Sequence, residues 1–391
     1  MRVPAKGIVG GEDWSLLFSP GFWQLHSMKK MKVGILGCGN ISGTYAEAGK
    51  KFRNMEIVAC ADLDYPRAQA QAEKFGIPAA MRVEQLLACD EIELVINLTV
   101  PSVHGQVGLE VLKSKKHLYN EKPLAAKRRE AREMLDLARE LGLRIGCAPD
   151  TFLGAGLQTC RKLIDSGAIG EPVAGAGFML SPGVEGWHPN PEFFYKKGGG
   201  PLFDMGPYYL TALTTLLGPV CRVNGAARIS FPDREIKSQP LAGKRIPVET
   251  PTHIAGLLEF ESGPVVTLVT SFDVQAHGMP NIEIYGSEGT LSVPDPNTFG
   301  GPVRIRRQGE SEWADLPLEF GYPDNSRGLG VSEMIASEQN GHEHRANART
   351  AYHVLDIMHS ILDSSESGQR IEMVSSMTRP PPMPDGFGDV G

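Results

Sequence analysis

The feature that most constrains the fold is a glycine-rich turn placed between an apolar strand and a helix. The run KVGIL (residues 32–36) has the short, wholly apolar character of a buried parallel strand. It leads into Gly37-Cys38-Gly39-Asn40-Ile41-Ser42, where Gly37 permits a tight turn and Gly39 lets a pyrophosphate approach the backbone. A helix begins beyond Asn40 and Ile41, and its first N–H groups can bind phosphate. The pattern predicts a dinucleotide-binding turn; a similar turn that binds another ligand is the alternative.

An acidic residue at the end of the next strand indicates which dinucleotide is bound. Asp62 closes the strand EIVACAD (56–62) and lies 23 residues after Gly39 (62 − 39). A carboxylate at this place accepts hydrogen bonds from the ribose hydroxyls. The same carboxylate repels a 2′-phosphate, so we expect NAD to be preferred over NADP. Arg67 follows closely in the sequence and keeps NADP as the less favoured alternative.

Strands and helices alternate over the first 120 residues that follow Met31. Helical patterns cover residues 66–76, 102–115 and 127–142, and apolar strands cover 92–99, 116–121 and 143–149. Pro66 and Gly76 stand at the two ends of the first of these helices, as helix ends prefer. Such alternation predicts a parallel sheet with helices on both faces, a Rossmann domain over residues 31–150.

The pattern changes after Pro149. One helix (156–167) is followed by strands that we expect to succeed one another without helices, which predicts a meandering antiparallel sheet, and a last helix covers 348–368. We expect residues 151–372 to form a substrate-binding and oligomerisation domain, and the Pro-rich tail 373–391 to be loose. Residues 1–30 have no coherent period and are expected to be a disordered extension or to precede the true start codon.

Composition excludes several classes of partner. The net charge is −7 and the pI about 5.9, which gives no reason to expect nucleic acid or an anionic membrane as a partner. No apolar run reaches the roughly 18–20 residues that a membrane span requires. The six cysteines have no paired spacing, so we expect reduced thiols and a cytoplasmic protein.

Several further segments resemble one known family. Glu121-Lys122-Pro123 ends the fifth strand, and GGGPLFDMGPYYLT (198–211), YGSEGTL (285–291) and HRANARTAYHVLDIM (344–358) follow. From Met31 to about residue 372 the chain resembles the Gfo/Idh/MocA oxidoreductases. The resemblance implies an NAD(P)-dependent dehydrogenase or reductase of sugars or polyols, with substrate between the Rossmann domain and an open sheet. It also implies that Glu121 and Lys122 border the nicotinamide, and that Lys122 reaches the reacting oxygen.

The resemblance extends to the motif Asp-x-Gly-x-His, with one departure. Asp204 is kept, Tyr208 stands where many members have histidine, and Thr211 where they have aspartate. The tyrosine is similar to that of the glucose–fructose oxidoreductase and dihydrodiol dehydrogenase branches. We expect Tyr208 to take the hydroxyl proton, with the Lys122 ammonium bringing its pKa down from about 10, and Asp204 to orient Lys122 or bind a substrate hydroxyl. The alternatives are a surface lysine and a packed aromatic ring.

Two other segments are candidate ligand contacts. The stretch 186–201 is a predicted substrate loop in which Trp187, His188, Tyr195 and Lys196 offer a stacking face and polar groups, although an interdomain loop with incidental aromatics is equally open. Thr99, Pro101 and His104 follow a strand at the edge where doubly wound sheets bind ligands, so we expect cofactor contacts there. His104 either touches nicotinamide or caps its helix.

No metal site is expected, because His342-Glu343-His344 lacks a third ligand nearby and is interpreted as solvent-exposed.

The sequence as a whole predicts NAD-dependent oxidation of a secondary hydroxyl on a sugar, glycoside or cyclitol. One alternative is an NAD-dependent glycoside hydrolase that oxidises the sugar transiently and eliminates the aglycone. Another is a binding protein without turnover, against which Lys122 and Asp204 argue. Strands that are apolar on both faces favour a homodimer or homotetramer.

Overall fold

The computed structural model describes residues 29–384, and it begins with a six-stranded parallel sheet in the order β3-β2-β1-β4-β5-β6. The strands are β1 (Met31–Leu36), β2 (Met55–Ala61), β3 (Ala79–Met81), β4 (Leu94–Asn97), β5 (His117–Asn120) and β6 (Ile145–Cys147). Strand order reverses between β1 and β4, so the carboxyl ends of these strands frame a crevice. Ligands of doubly wound sheets bind at such a point. The predicted Rossmann sheet is confirmed.

Helices cover both sheets of the molecule. They are α1 (Ser42–Lys51), α2 (Tyr65–Phe75), α3 (Val83–Ala88), α4 (His104–Lys113), α5 (Arg128–Leu141), α6 (Ala155–Asp165), α7 (Gly200–Leu217), α8 (Leu329–Gln339) and α9 (Ala348–Ser367). Pro66 lies in the first turn of α2, and Gly76 ends that helix with φ 69°. Among the described residues no helix is both long and apolar enough to cross a membrane.

The second sheet has nine strands in the order β16-β15-β14-β13-β7-β12-β11-β8-β17. Its strands are β7 (Pro172–Leu180), β8 (Val220–Arg228), β11 (His253–Phe260), β12 (Val265–Ser271), β13 (Ile282–Gly286), β14 (Gly289–Val293), β15 (Val303–Arg307), β16 (Ala314–Leu316) and β17 (Ile371–Glu372). The short strands β9 (Asp233–Glu235) and β10 (Arg245–Pro247) form a separate ribbon. The sheet is mostly antiparallel, but not a simple meander: β7 lies between β13 and β12 and runs parallel to β12.

One helix contradicts the expectation that strands succeed one another without helices, since α7 separates β7 from β8. Helix α8, between β16 and the last helix, was not predicted either. Nearly every residue of α7 is buried, including Pro207. A helix buried on all sides carries apolar residues all round and therefore lacks the amphipathic period that identifies a surface helix. Strand β3, of three residues, and helix α3, of six, were not predicted either, because elements of this length show no clear period.

Helices α7 and α9 pack against one face of the nine-stranded sheet, and α9 also contacts α5 of the Rossmann domain. Segment 326–345 returns to the Rossmann domain as well. The Asp150 carboxylate accepts hydrogen bonds from the backbone of Gly328 and Gly330, and Asn54 donates to the carbonyl of Ser332. The helix-covered face of the second sheet thus lies towards the Rossmann domain, which brings the first turn of α7 near the crevice.

The expectation of a loose Pro-rich tail is wrong for residues 373–384. The guanidinium of Arg161 donates to the carbonyl of Pro380, and that of Arg345 to the carbonyls of Pro381 and Pro382. Met383 is buried and its N–H donates to a side-chain oxygen. Proline has no N–H to donate, but its carbonyl accepts hydrogen bonds like that of any other residue. Residues 385–391, and the predicted extension apart from residues 29 and 30, lie outside the described residues.

Candidate active site

The glycine-rich turn has the geometry that a dinucleotide requires. Gly37 has φ 102°, and a Cβ there would lie 2.7 Å from the backbone carbon of Leu98. A Cβ on Gly39 would meet no atom within 4 Å, so the backbone there faces open space that a ligand can approach. Helix α1 begins next to it without a side-chain cap or an acidic residue in its first turn. The N–H groups of Ser42 and Thr44 donate to carbonyls of the turn, which leaves those of Asn40 and Ile41 available to phosphate oxygens.

Asp62 lies at this turn, as its spacing predicts. One carboxylate oxygen accepts the N–H of Cys38 at 2.8 Å, and the other accepts that of Asp64 at 2.9 Å. Arg67 is 56% exposed in its side chain, and its guanidinium is 3.9 Å from Asp62 and 3.5 Å from Asp64. Two carboxylates therefore offset the charge of Arg67. The residues present fit NAD, because the crevice edge offers open backbone, phosphate donors and a carboxylate for ribose.

Lys122, directly after β5, reaches across to helix α7. Its ammonium donates to the Asp204 carboxylate at 2.9 Å and to the Asp204 carbonyl at 2.8 Å. Their side chains are 17% and 21% exposed, so the pair is largely shielded from water. Burial is the largest single influence and lowers the pKa of Lys122, but Asp204, Tyr208 and Glu121 together outweigh it, and the net direction is upward. The contact joins the Rossmann domain to the first turns of α7.

Tyr208 lies one turn beyond Asp204 on α7. The Lys122 ammonium is 5.1 Å from the centroid of the Tyr208 ring, so it lies over the ring. The positive charge of Arg327 also acts on this phenol. Burial raises the pKa of Tyr208, Lys122 and Arg327 oppose it, and the net direction is upward. Lys122 does lower the pKa of Tyr208, as expected, but desolvation outweighs both cations, so the expectation of a net fall from the ordinary value is wrong.

Glu121 organises the backbone beside Lys122. Its carboxylate accepts the N–H of Lys122 at 2.8 Å and the hydroxyl of Tyr45, from α1, at 3.0 Å. Since both oxygens of Glu121 are engaged, the residue links the α1 side of the crevice to the loop that carries Lys122.

His104 is 1% exposed, and both of its ring nitrogens lie against backbone carbonyls. Nδ1 is 2.7 Å from the Pro123 oxygen and Nε2 is 2.8 Å from the Thr99 oxygen. Thr99 is fixed in turn by the side-chain oxygen of Asn97, and a short 3-10 turn begins at Pro101. His104 thus bridges the loops after β4 and β5, and its burial between two carbonyls argues against the alternative in which it touches nicotinamide.

The four residues of the predicted substrate loop have different environments. Tyr195 is fully buried and its hydroxyl donates to Glu185, which contradicts a role in contacting substrate. Lys196 is half-exposed and pairs with Glu249 at 2.8 Å. Trp187 is 67% exposed, with its ring edge-on to His188. Burial lowers the pKa of His188 and the charge of Asp204 opposes this, so His188 lies within electrostatic reach of the Lys122–Asp204 pair.

A buried ion cluster holds this loop in place. The guanidinium of Arg234, on β9, pairs with Glu185 at 3.0 Å and also with Asp273. Around it, Val184, Phe194, Tyr195, Ile236, Ile246, Val248 and Phe272 form a second apolar core. The loop is therefore packed against the β9–β10 ribbon, whose contribution sequence reasoning missed because the paired residues are far apart in the chain.

Arg327 was also missed, since no motif marks the segment before α8. Its guanidinium donates to the side-chain oxygens of Asn297 at 2.6 Å and Asn325 at 3.0 Å. A cavity of about 550 Å³ lies between Arg327 and residues of α1, Thr44 and Glu47 among them.

The expectation of a solvent-exposed His342-Glu343-His344 is wrong for His344. That residue is 4% exposed, and its Nε2 contacts the carbonyl of Ile145 at 3.1 Å. His342 and Glu343 are exposed.

Comparison with known proteins decides the family. Residues 31–148 match the oxidoreductase family with an NAD-binding Rossmann fold, and residues 157–292 match the GFO/IDH/MocA C-terminal domain. A dTDP-3,4-didehydro-2,6-dideoxy-alpha-D-glucose 3-reductase of Streptomyces violaceoruber is 30% identical over 302 residues, covering 74% of this chain and 82% of the relative. The chain belongs to the Gfo/Idh/MocA family.

Other members of the Gfo/Idh/MocA family align over most of their length. A D-glucoside 3-dehydrogenase of Escherichia coli (strain K12) is 27% identical and covers 88% of this chain and 97% of its own. Levoglucosan dehydrogenase in its apo form superposes with a TM-score of 0.77 at 19% identity, covering 90% of this chain and 100% of its own. An NAD binding oxidoreductase from Klebsiella pneumoniae gives 0.75 at 22% identity, covering 89% and 100%. These structures confirm the predicted two-sheet fold, and family membership makes the protein an oxidoreductase with an NAD-binding domain.

Proposed function

We propose that this protein transfers hydride between nicotinamide and a secondary hydroxyl of a sugar, glycoside or cyclitol, with NAD as the cofactor. The observation that carries the proposal is the contact of Lys122 with Asp204, 2.9 Å long and largely shielded from water, beside Tyr208 at the crevice edge. This places a cation, a carboxylate and a phenol beside the open backbone of the glycine-rich turn. Such a set can bind a polar hydroxyl and move its proton.

The bound cofactor would supply the hydride acceptor; the rest of the chemistry belongs to the chain. The Lys122 ammonium would donate a hydrogen bond to the reacting oxygen of the sugar. Asp204 orients that ammonium. The Tyr208 phenolate would accept the hydroxyl proton in oxidation, and the phenol would return it in reduction. Because the pKa of Tyr208 is raised, we expect oxidation to accelerate and reduction to slow as the pH increases.

NAD is favoured over NADP by the surroundings of the ribose site. Asp62 is fixed at the turn by two backbone N–H groups, so its carboxylate would repel a 2′-phosphate. Arg67 would attract such a phosphate, but two carboxylates lie beside its guanidinium.

The proposed substrate class is supported by the names of several relatives. Two of the aligned relatives are named for chemistry at position 3 of a glucoside or a deoxyglucose, and another is a D-apiose dehydrogenase. We therefore place the C3 hydroxyl of a glucoside first among the candidate reacting groups. In the substrate loop, Trp187 and His188 would contact the sugar ring, and Lys196 would lie at the exposed rim.

The uncovered face of the nine-stranded sheet supports a homodimer or homotetramer. Val173, Leu257 and Val265 are each about half exposed on three adjacent strands. An apolar surface of this kind commonly marks a protein interface.

The six free thiols fit a reducing compartment, and we propose the cytoplasm.

A panel of pyranoses, glycosides and cyclitols tests the function, each incubated with NAD or NADP while NADH absorbance is followed. We expect net NADH from at least one glycoside or sugar, with NAD preferred. Released aglycone without net NADH, and cofactor recovered only after denaturation, would instead identify a glycoside hydrolase. No change in any sugar would contradict both.

A further inference from the structure

A cavity of about 830 Å³ lies away from the crevice, beside the edge strand β6 of the Rossmann sheet. Its wall includes Leu143 and Arg144, which lead into the amino end of β6, whereas the crevice is framed by the carboxyl ends of β1 and β4. Helix α5, the beginning of α9 with the loop before it, and residues 374–376 complete the wall. Sites for small molecules commonly have volumes of about 300–1,000 Å³. The cavity is therefore large enough for a ligand of its own, and the proposed catalytic residues lie outside its wall.

Arginine side chains give this cavity an excess of positive charge. Four of them line it, against the two carboxylates of Asp136 and Glu343. Asp136 pairs with Arg139 at 2.9 Å and so offsets that guanidinium. The other three are Arg132, Arg144 and Arg349. In the part of the chain that the structure describes, none of these three has a carboxylate within ion-pair distance. Their charge is available to an anion in the cavity.

Two of the three arginines are held in place by neutral groups. The guanidinium carbon of Arg132 is 4.9 Å from the centroid of the Tyr352 ring, and the guanidinium of Arg144 donates to the carbonyl of His342 at 2.6 Å. Helix α9 adds its N-terminus, which has no acidic residue in its first turn. A helix N-terminus favours negative charge, and the planar guanidinium matches the oxygens of a phosphate. Three guanidinium groups and a helix N-terminus favour a doubly charged phosphate over a single carboxylate.

A buried histidine in the same wall indicates a second property of the ligand. His344 is 4% exposed, and its Nε2 lies 3.1 Å from the carbonyl of Ile145, to which it donates. Burial lowers the pKa of His344 to about 4, so the ring is neutral and its Nδ1 is an acceptor. This Nδ1 has no hydrogen-bond partner among the described residues, and a buried acceptor without a donor is destabilising. A hydroxyl group of a bound molecule would supply the donor, which a fully ionised anion cannot do.

We propose that this cavity binds a sugar phosphate, with the phosphate among Arg132, Arg144, Arg349 and the N-terminus of α9, and with a sugar hydroxyl donating to Nδ1 of His344. The ligand class combines the two properties of the wall, which are uncompensated guanidinium groups and a buried acceptor. The site is separate from the crevice and does not depend on the proposed chemistry there.

Isothermal titration of the full chain with glucose 6-phosphate, in the absence of NAD, tests the proposal. Arg144→Gln and Arg349→Gln should each weaken binding about tenfold or more, because each removes a charged hydrogen bond to the phosphate. Arg129→Gln is the matched control. Arg129 also lies on the surface of α5, but it pairs with Glu133 and is not part of the wall, so this variant should bind as tightly as wild type.

Other ligands separate the two halves of the proposed site. Cyclohexyl phosphate has a ring and a phosphate but no hydroxyl on the ring, and it should bind about fivefold more weakly than glucose 6-phosphate because Nδ1 of His344 stays without a donor. Sulfate should bind more weakly still. Binding of glucose 6-phosphate should be unchanged in Lys122→Ala, because Lys122 lies in the crevice.

An absence of glucose 6-phosphate binding at millimolar concentration would overturn the proposal. Binding that is lost in Lys122→Ala and unaffected by the arginine substitutions would also overturn it, since the ligand would then occupy the crevice. Equal affinity for cyclohexyl phosphate would refute the hydroxyl contact, and equal affinity for sulfate would show an adventitious ion only. Tighter binding of AMP would assign the cavity to nucleotides instead of sugar phosphates. Arginine-dependent binding of glucose 6-phosphate would uphold the site even in a protein that oxidises no sugar.

Discussion

Replacing Asp150 with asparagine should make the free energy of unfolding fall less as the pH rises. Asp150 is 1% exposed, and one of its oxygens accepts the backbone N–H groups of Gly328 at 2.8 Å and Gly330 at 2.9 Å. Burial raises the pKa of Asp150 to about 6, although the two hydrogen bonds oppose it, from an ordinary value of 3.8. Asparagine keeps an oxygen for both donors and cannot ionise.

The sign and size follow from proton linkage. A carboxyl whose pKa is raised by folding destabilises the folded state when it ionises. Its effect on the free energy of unfolding is therefore absent below pH 3.8, and stability is lost as the pH rises through 6. The loss is about 3 kcal/mol, (6 − 3.8) × 1.36, and about half of it falls between pH 5 and pH 8. The free energy of unfolding of Asp150→Asn, relative to wild type, should therefore improve by about 1.5 kcal/mol over that interval.

Urea denaturation followed by far-UV circular dichroism at several pH values measures this difference. Asp90→Asn, at an exposed position, is the matched control and should follow wild type throughout. A difference between wild type and Asp150→Asn that stays constant from pH 5 to pH 8 would refute the reasoning. It would mean that Asp150 remains ionised at little cost and that its two N–H donors compensate its burial.

Three further predictions concern the proposed function. Turnover with NAD should exceed turnover with NADP, because Asp62 repels a 2′-phosphate; faster turnover with NADP, or a crystal in which Asp62 points away from the adenosine ribose, would contradict this. Lys122→Ala should abolish hydride transfer while NAD affinity, measured by isothermal titration, stays close to wild type, since the turn and Asp62 hold the cofactor; near-normal turnover would remove Lys122 from the mechanism. Leu257→Glu, on the uncovered sheet face, should convert the oligomer to monomer in light scattering, whereas a wild type that is monomeric at micromolar concentration would show that this face is not an interface.

The Rossmann half could be predicted because its signals are local. A few adjacent residues are enough to predict each of its main features. These are the apolar first strand, the turn from Gly37 to Ser42 and the two ends of α2. Helix α7 could not be found in the same way: burial on every side removes its period, and Pro207 and the glycines around it resemble those of a loop. The family motif identified Asp204 and Tyr208 as candidate site residues even though the helix that carries them was missed.

The errors have a common physical origin: side chains or carbonyls that looked available in the sequence are hydrogen-bonded to residues far away in the chain. Tyr195 looks like an aromatic available to a sugar until Glu185 takes its hydroxyl. His104 lies at the expected edge, but carbonyls of two loops occupy both ring nitrogens. The tail was expected to be loose because of its prolines, but the side chains of Arg161 and Arg345 donate hydrogen bonds to the proline carbonyls. None of these contacts leaves a pattern in the neighbouring sequence.

Following the hydride itself tests the proposed function most directly. A glucoside deuterated at C3, or at whichever carbon the substrate panel identifies, is oxidised with NAD, and the released NADH is isolated and analysed for deuterium. Direct transfer predicts one deuterium at C4 of nicotinamide for each sugar converted to its oxo form. Unlabelled NADH, or a sugar that releases its aglycone while the protein releases no NADH, would contradict the assignment of a dehydrogenase.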